Sequence, residues 1–326
     1  LNISRDVSDY FINFTEPAFN DTDWRVGGDV YQSQANRSDY RQRKIGAAAR
    51  GGLPVGENVL LSARYKFDTT WLEPYFELID GVSTKVTDEV LYPLDTASGK
   101  SSSITLSLEF DNRNDRFSPS KGWFISSSVE YSGLGGDLKY TKSNNFVRYF
   151  RKLFWEVVWR NNFNYSFVRS SSDREEPFNE LFLLGGPQSL RGYRWLSVGK
   201  TRYSQQTYDR IYKQLTSGTN PSTPAIAAAA ANREAVRPFG GRQQVLLQTE
   251  LEFPLIREAN VKGVGFFDIG QAEDEIRRDM YYPGAGFGIR WFSPMGPLRF
   301  EWGFPLRSND KSLDSMVFDF MIGSSF

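Results

Sequence analysis

The side chains that most often carry enzyme chemistry are missing from this sequence of 326 residues. It contains no histidine and no cysteine, which excludes a Ser-His-Asp triad, a thiolate nucleophile and a thiolate metal site. Catalysis by carboxylates alone stays open. The 39 basic and 39 acidic residues cancel, so no charge imbalance favours nucleic acid as a partner. We therefore expect no enzyme, no cofactor and no metal.

A few charged residues share a face with other notable side chains in the alternating segments. Asp268 shares a strand face with Phe266, and Glu252 lies on the polar face of its own segment. An arginine about 4 Å from such a carboxylate would attract it by roughly 4 kcal/mol before desolvation. Arg299 and Glu301 also share a face, and we interpret them as a structural interior pair rather than a substrate site.

The elements that position these charges are predicted to be β-strands, because polar and apolar residues alternate with a period of two. The alternation is clear in 104–111, 123–131, 245–253, 298–306 and 318–326. The predicted strands are 9–17, 22–34, 38–50, 57–68, 101–111, 121–132, 139–150, 153–167, 177–185, 240–254, 260–268, 284–293, 296–306 and 315–326.

Strand length and composition favour a membrane barrel over a soluble β-sandwich, which remains the alternative. Many predicted strands reach the roughly ten residues that a tilted membrane strand needs, whereas soluble strands average about five to six. Aromatic residues make up 15% of a chain whose mean hydropathy is −0.47. This combination is typical of a lipid-facing wall around a polar interior. The fold class is therefore predicted to be all-β, a transmembrane antiparallel barrel with about fourteen visible strands.

Two stretches do not read as strands. Residues 200–239 contain turn-forming residues and then the alanine-rich segment 225–231, and we expect a long extramembrane loop with a short helix. A shorter polar connection is expected at 81–100. No apolar run approaches the roughly 20 residues that a membrane helix needs.

Several segments, in the same order along the chain, resemble the BamA family of outer-membrane assembly factors. Residues 184–193, Leu-Gly-Gly-Pro-Gln-Ser-Leu-Arg-Gly-Tyr, resemble the motif that opens the family's sixth extracellular loop. Residues 265–270 resemble its Phe-x-Asp-x-Gly strand motif, and 288–300 are similar to its penultimate hairpin with a Ser-Pro-x-Gly-Pro turn. Residues 111–122 fit a further turn. The resemblance covers essentially the whole chain.

The resemblance implies a domain plan. Residues 1–326 would form a transmembrane barrel domain of a sixteen-stranded family, with 186–239 as a long extracellular loop folded into the lumen. The family's periplasmic POTRA domains have no counterpart in this sequence. The segment before Phe11 resembles the end of the family's second strand, so the first strand and most of the second are expected to be absent.

The resemblance also implies a contact between the loop and the wall. Arg191, followed by Gly192 and Tyr193, would dock on the inner wall against Phe266 and Asp268, with Glu252 nearby. Gly185 and Gly186 would shape the loop hairpin, since glycine permits tight backbone conformations. The plainer alternatives are a solvated loop arginine and ordinary turn glycines.

The last strand carries the remaining implied site. In the family it pairs weakly with the first strand, and the seam between them opens sideways as a lateral gate. An unpaired strand edge in lipid attracts an incoming strand, because each unsatisfied backbone group costs several kcal/mol there. A lipid-facing aromatic row would by itself also explain the strand as barrel wall. The expected gate residues are Phe318, Phe320, Ile322, Gly323 and Phe326.

The implied function is insertion of β-barrel proteins into the bacterial outer membrane. The expected partners are unfolded outer-membrane protein clients, periplasmic assembly lipoproteins and chaperones, and outer-membrane lipid and lipopolysaccharide, with no nucleic acid. Three alternatives stay open from the sequence: a two-partner-type secretion pore, a solute porin, and an outer-membrane enzyme such as a phospholipase or protease.

Overall fold

A single antiparallel sheet of fourteen strands dominates the structure. The computed structural model describes residues 2–3, 7–37, 39–79, 82–217, 221–293, 296–307 and 315–323. In chain order the sheet contains β1 (Asn2–Ile3), β2 (Val7–Glu16), β3 (Arg25–Asn36), β4 (Tyr40–Gly56), β5 (Val59–Pro74), β8 (Gly99–Asp111), β9 (Gly122–Gly136), β10 (Tyr140–Lys152), β11 (Val158–Ser170), β14 (Gln243–Ile256), β15 (Val261–Glu273), β16 (Tyr282–Ser293), β17 (Gly296–Pro305) and β18 (Val317–Ile322).

The other elements lie in the connections between these strands. They are β6 (Phe76–Ile79), β7 (Val82–Lys85), α1 (Leu94–Ala97), β12 (Thr201–Tyr203), α2 (Gln205–Ser217), α3 (Pro224–Ala235) and β13 (Val236–Pro238), together with short 3-10 turns at Phe19–Asp21 and Phe178–Glu180. No helix in the described ranges combines the length and apolarity that spanning a membrane requires.

Each strand of the sheet pairs with its neighbour in the chain, so the topology is a meander. Its connections alternate between two ends. At one end, called here the short-turn end, β4 and β5 are joined by residues 57–58 and β14 and β15 by 257–260. At the other, called the long-loop end, 75–98 and 171–242 form extended connections. This asymmetry is typical of outer-membrane barrels, whose periplasmic turns are short.

The two faces of the sheet have opposite chemistry. Apolar side chains such as Leu106, Phe287 and Phe320 are half exposed on the outer face. The inner face is polar and buried, and both Glu250 and Asp268 are almost inaccessible. A water-soluble protein would bury the apolar face instead. The arrangement therefore matches a barrel whose outer wall contacts lipid and whose lumen is polar.

The alternating pattern predicted the wall well, and one predicted strand is wrong. Every predicted strand except 177–185 overlaps a strand of the large sheet. Residues 178–180 form a 3-10 turn instead, and only isolated bridges occur at Phe182 and Leu184. The apolar residues of this segment pack into a cluster with Leu190 and Tyr193 inside the curled sheet. Their alternation therefore reflects burial inside the lumen and not membership of the wall.

The long connection is more ordered than a loop with one short helix. Helices α2 and α3 have 13 and 12 residues, and they pack against each other. The short strands β12 and β13 pair at the base of this helical hairpin. The 81–100 connection likewise contains α1 and one strand of the β6–β7 hairpin.

Glu180 shows that the sheet curls around the connection that leaves β11. Its carboxylate lies 3.0 Å from Lys44 Nζ on β4 and 3.1 Å from Lys142 Nζ on β10. These two strands are separated in the sheet by β5, β8 and β9. Burial by itself would raise the pKa of Glu180, but the two lysines outweigh it and hold the pKa far below its usual range.

Replacing Glu180 by glutamine is expected to destabilise the barrel by roughly 2–4 kcal/mol, because two lysines lose their shared counter-ion in a confined space. Urea unfolding followed by tryptophan fluorescence measures the loss. A carboxylate whose pKa is lowered by folding stabilises the fold at any pH above its pKa in the unfolded chain. This stabilisation is lost only as the pH falls through the lower pKa of the folded state. The deficit of Glu180→Gln relative to the native chain should therefore be full at pH 7 and shrink in strong acid. An unchanged midpoint at pH 7 would contradict this role.

Candidate functional site in the barrel lumen

Arg191 lies in a tight hairpin that enters the lumen from the long-loop end. Three glycines give the hairpin its shape: Gly185, Gly186 and Gly192 have φ angles of 112°, 96° and 88°. Other residues rarely adopt this conformation. A Cβ added to Gly185 would lie 2.1 Å from the carbonyl oxygen of Arg194. The glycines predicted for the hairpin are thus at positions where a side chain would prevent it from folding.

The guanidinium of Arg191 is fully enclosed and makes a two-pronged contact with Asp268 on β15. Nε and Nη2 donate to the two carboxylate oxygens, each at 2.7 Å, and the Arg191 backbone N–H donates to the same group at 3.1 Å. Nη1 donates to Glu250 on β14 at 2.9 Å. The guanidinium carbon also lies 3.8 Å from the ring centroid of Phe266. We call Arg191, Asp268, Glu250 and Phe266 the Arg191 clamp.

Glu252, which is expected near Arg191, is not its direct partner. The direct second partner of Arg191 is Glu250, whereas Glu252 contacts Arg160 at 2.8 Å and Arg290 at 3.0 Å. Glu252 therefore joins the clamp indirectly, because Arg290 also binds Glu250 at 2.7 Å. Glu250 and Arg290 were not singled out from the sequence, although both lie on the polar faces of their strands.

The clamp is part of a larger set of buried ion pairs. Arg290 contacts Glu301 at 3.1 Å, and Glu301 pairs with Arg299 at 2.8 Å. The predicted interior pair Arg299–Glu301 is therefore present. On the short-turn side, Lys262 contacts Glu252 at 2.8 Å and donates to Ser118 Oγ at 3.2 Å.

Ser118 belongs to the connection between β8 and β9, and β10, β11 and β14 separate β9 from β15 in the sheet. Asp115 accepts hydrogen bonds from the backbone N–H groups of Phe117 and Ser118, both at 2.7 Å, and so fixes the turn. Charged and polar contacts thus run without a break from this turn to the loop hairpin.

The opposing wall has glycines where the hairpin backbone approaches. A Cβ on Gly303 of β17 would lie 2.4 Å from the Gly192 nitrogen, and one on Gly284 of β16 would lie 2.5 Å from the Arg191 carbonyl oxygen. A Cβ on Gly286 would lie 2.4 Å from Phe266. We call Gly284, Gly286 and Gly303 the glycine slot, and none of the three is among the residues predicted from the sequence. The signal was present, because alternate glycines in a strand mark a close backbone approach.

Tyr193 fastens the far side of the hairpin. Its hydroxyl donates to the carbonyl oxygen of Pro283 at 2.6 Å, and its ring meets Tyr282 edge-on at 5.8 Å. The side chain is almost completely buried. Arg191, Gly192 and Tyr193 are therefore all held against β15, β16 and β17.

The residues expected at the gate lie mostly on β18. Phe318, Phe320 and Ile322 expose half or more of their surface on the outer face, and rings of Phe318 and Phe320 contact Trp302 and Phe300 of β17. Gly323 follows the strand with φ of 128°. Phe326 lies outside the described residues.

The Arg191 clamp is suited to holding a loop, because its charged groups are already paired with one another. Burial by itself would lower the pKa of Arg191, but Asp268, Glu250 and Glu301 outweigh it and raise the pKa above its usual range. Arg191 is therefore a permanent cation. Within the described ranges, no group of three or more His, Cys, Asp or Glu residues is placed to hold a metal ion.

Comparison with known families decides the identity of the domain. A family model described as the Omp85 superfamily domain matches residues 1–326. The chain belongs to the Omp85 superfamily. It is similar to the outer membrane protein assembly factor BamA of Nitratidesulfovibrio vulgaris, with 26% identity over 326 residues, 97% of this chain and 36% of that protein. A sorting and assembly machinery component 50 homolog A from Xenopus laevis is 25% identical over 193 residues, 58% of this chain and 39% of that protein.

Solved structures of Omp85 proteins and their relatives share the fold. BamA from Haemophilus ducreyi lacking POTRA domains 1–3 matches with a TM-score of 0.76 and 20% identity, covering 98% of this chain and 62% of that one. CdiB from Acinetobacter baumannii matches with a TM-score of 0.55 and 15% identity, covering 98% and 50%. This Omp85 chain is an outer-membrane β-barrel, and it spans about a third of its BamA relative. In outer-membrane barrels the short turns face the periplasm.

Proposed function

We propose that this Omp85 barrel folds and inserts client β-barrel proteins into the bacterial outer membrane through a lateral opening beside β18. The similarity to a protein named as an assembly factor over 97% of this chain supports the proposal. Its clients would be unfolded outer-membrane proteins. Periplasmic lipoproteins and chaperones are proposed as assisting partners, and lipid and lipopolysaccharide as the surroundings.

The observation that carries the proposal is how short the last strand is. Strand β18 has six residues, whereas its neighbour β17 has ten. It pairs with β17 along one edge, and its other edge faces the proposed seam, where an opening would leave it without a partner strand. Such an edge presents unpaired N–H and C=O groups, which in lipid is unfavourable by several kcal/mol per group. A client strand can satisfy them by pairing, which explains insertion without an external energy source.

Phe318, Phe320, Ile322, Gly323 and Phe326 are the residues we propose for the gate. The Arg191 clamp would hold the long loop inside the lumen and so keep β15 to β17 in a fixed arrangement beside that edge. No step of this mechanism requires a catalytic side chain, which agrees with a domain that acts as a scaffold and not as an enzyme.

Cross-linking tests the lateral opening directly, since the native chain has no cysteine. In the full-length protein, cysteine pairs would join β18 to the strand at the opposite side of the seam. Reconstituted in phosphatidylcholine liposomes, the oxidised protein should insert a urea-unfolded eight-stranded client at least tenfold more slowly. Reduction by dithiothreitol should restore the rate.

A pair within an existing ladder provides the control. Ser127 and Asn145 are direct neighbours on β9 and β10, so Ser127→Cys with Asn145→Cys links strands that remain paired. Oxidation of this pair should leave insertion unchanged. Undiminished insertion through a fully oxidised seam would refute the lateral opening.

A secretion pore is the second candidate, because the CdiB barrel shares the fold. In that case a polypeptide would pass along the lumen, which the hairpin and its buried ion pairs now fill. A protein that exports a polypeptide equally well with the seam oxidised or reduced would favour this candidate.

A further inference from the structure

One interior arginine, Arg148 on β10, differs from its neighbours. No carboxylate of the described residues lies within ion-pair distance of Arg148. Four other interior arginines each have a carboxylate at 2.7 or 2.8 Å, namely Arg160, Arg191, Arg290 and Arg299. Arg148 is half-buried, so its guanidinium is a cation without a counter-ion at a position that a ligand in the lumen can reach.

Aromatic rings hold Arg148 in place without neutralising it. Its guanidinium carbon lies 5.3 Å from the ring centroid of Phe124 and 5.8 Å from that of Phe146. Nε donates to Asn162 Oδ1 at 3.4 Å, a long and weak hydrogen bond. The two terminal nitrogens make no hydrogen bond to the described residues. The planar fork that binds carboxylates in two-pronged fashion is thus fixed and available.

Arg148 faces a polar cavity of about 210 Å³ between the loop hairpin and the wall formed by β10 and β11. Arg299 and the carboxamides of Asn162, Asn164 and Gln248 also line it. Arg191 and Arg299 are paired with carboxylates, so Arg148 is the cation of this lining without an ion pair, and no acid lines the cavity. Asn162 Nδ2 donates to Gln248 and Gln248 Nε2 donates to the Ser189 carbonyl oxygen, so what the lining offers an anion is the positive charge of Arg148.

The position of the cavity indicates where its ligand would come from. Arg148 is four residues before the end of β10 at the short-turn end, and this end faces the periplasm. An unfolded client arrives from that side. The cavity has room for several water molecules, and so for a carboxylate with a short part of the adjoining chain.

We propose that Arg148 and this cavity form a receptor for a carboxylate of an extended client polypeptide, engaged before the client strand reaches the seam. The inference rests on the proposed insertion function and adds a recognised chemical group to it. The carboxylate can belong to an aspartate or glutamate side chain or to the chain terminus. Both present the same pair of oxygens to the guanidinium fork.

Peptide binding to the full-length protein in detergent tests the receptor. The probes are fluorescent ten-residue peptides of alternating polar and apolar residues, one with a free terminal carboxylate and one amidated. A second amidated pair carries either one internal glutamate or glutamine. Fluorescence anisotropy should show roughly tenfold tighter binding of at least one acid peptide than of its neutral partner, as expected for charge-assisted hydrogen bonds. The peptide pair in which the acid binds more tightly than its neutral partner identifies the source of the carboxylate.

Substitutions connect the preference to this site. Arg148→Gln should remove the acid preference while leaving the binding of neutral peptides unchanged, and Arg148→Lys should keep part of it. Asn164→Leu, which fills the cavity but retains the cation, should also weaken acid binding. The matched control is Arg151→Gln, which removes the same charge from an exposed position on the same strand and should leave the preference intact.

Three results would overturn the inference. The native protein could bind acid and neutral peptides equally, or Arg148→Gln could retain the preference. Inorganic phosphate could also displace the acid peptide at equal concentration, which would indicate a general anion site. The liposome assay keeps this result separate from the proposed function. If insertion depends on the seam but the protein shows no preference for acid peptides, only the receptor is refuted. If the protein prefers acid peptides but does not insert the client, the proposed function is refuted.

Discussion

Arg191→Ala is expected to lower the stability of the barrel by roughly 3–5 kcal/mol and to reduce client insertion at least tenfold. The substitution leaves Asp268 and Glu250 enclosed without their shared cation, and removal of one member of a buried ion pair typically has a cost of this size. It also removes the stacking contact with Phe266. The hairpin then loses the contacts that hold it against β14 and β15. Urea unfolding and the liposome insertion assay measure the two effects.

Two variants distinguish charge from geometry at this position. Arg191→Lys keeps the charge but cannot reproduce the two-pronged contact with Asp268, so an intermediate loss is expected. Arg278→Ala removes an exposed arginine from the connection between β15 and β16, and it should match the native protein in both assays. Native-like insertion by Arg191→Ala would show that the clamp has no part in the function.

A double substitution shows how much of the loss of stability comes from leaving the Asp268 carboxylate without its cation. Removing both partners of a buried pair has a smaller effect than removing one, because no uncompensated charge remains. Arg191→Ala combined with Asp268→Ala should therefore be more stable than the sum of the two single losses predicts. Additive losses would mean that the two side chains act independently.

The sequence predicted the wall because a membrane barrel imposes one rule on every strand. Lipid outside and a polar lumen inside make each strand alternate, and this signal is present within each segment by itself. Strands β8 and β17 illustrate it, since both were predicted to within two residues at each end. Residues 177–185 show the limit of the rule. Apolar residues also alternate there, but they pack inside the lumen, and no local pattern distinguishes the two environments.

The choice between Glu250 and Glu252 depended on information that one strand does not contain. The two residues lie on the same face of β14, so alternation treats them alike. The register between β14 and β15 places Glu250 opposite Phe266 and Glu252 opposite Val264. Glu250 is therefore the nearer acid to Asp268. The register is fixed by the turn at 257–260 and by the whole ladder, which a motif-based prediction does not resolve.

Gly303→Ala is expected to displace the hairpin although every charge of the clamp remains. The new Cβ would lie 2.4 Å from the nitrogen and 2.6 Å from the Cα of Gly192, distances that packed atoms do not tolerate. The contact is between two backbones, so no flexible side chain can move aside. The hairpin must move away from β17, and the two-pronged geometry of Arg191 is lost with it. We expect a five- to tenfold loss of insertion, with a cost of about 1–3 kcal/mol from overpacking.

Trypsin reports the displacement itself, because it cleaves after arginine and Arg191 is buried in the hairpin. In the native protein Arg191 is enclosed and should resist cleavage, whereas Gly303→Ala should be cut there much faster. Gly265→Ala is the matched control. A Cβ at that position of β15 meets nothing within 4 Å, so the change in strand propensity is the same but the hairpin is untouched.

Comparison of Gly303→Ala with Arg191→Ala separates two ways in which the wall can hold the loop. If ion pairing alone holds it, the hairpin of Gly303→Ala stays protected and insertion continues, because its charges are intact. If the hairpin also requires the glycine slot, both variants lose protection and insertion together. A Cβ on Gly303 would lie 2.4 Å from the Gly192 nitrogen, and one on Gly192 would lie 3.1 Å from backbone atoms of Phe304, at a φ of 88° that other residues rarely adopt. The second outcome is therefore the one that we expect, and a protected hairpin in Gly303→Ala would rule it out.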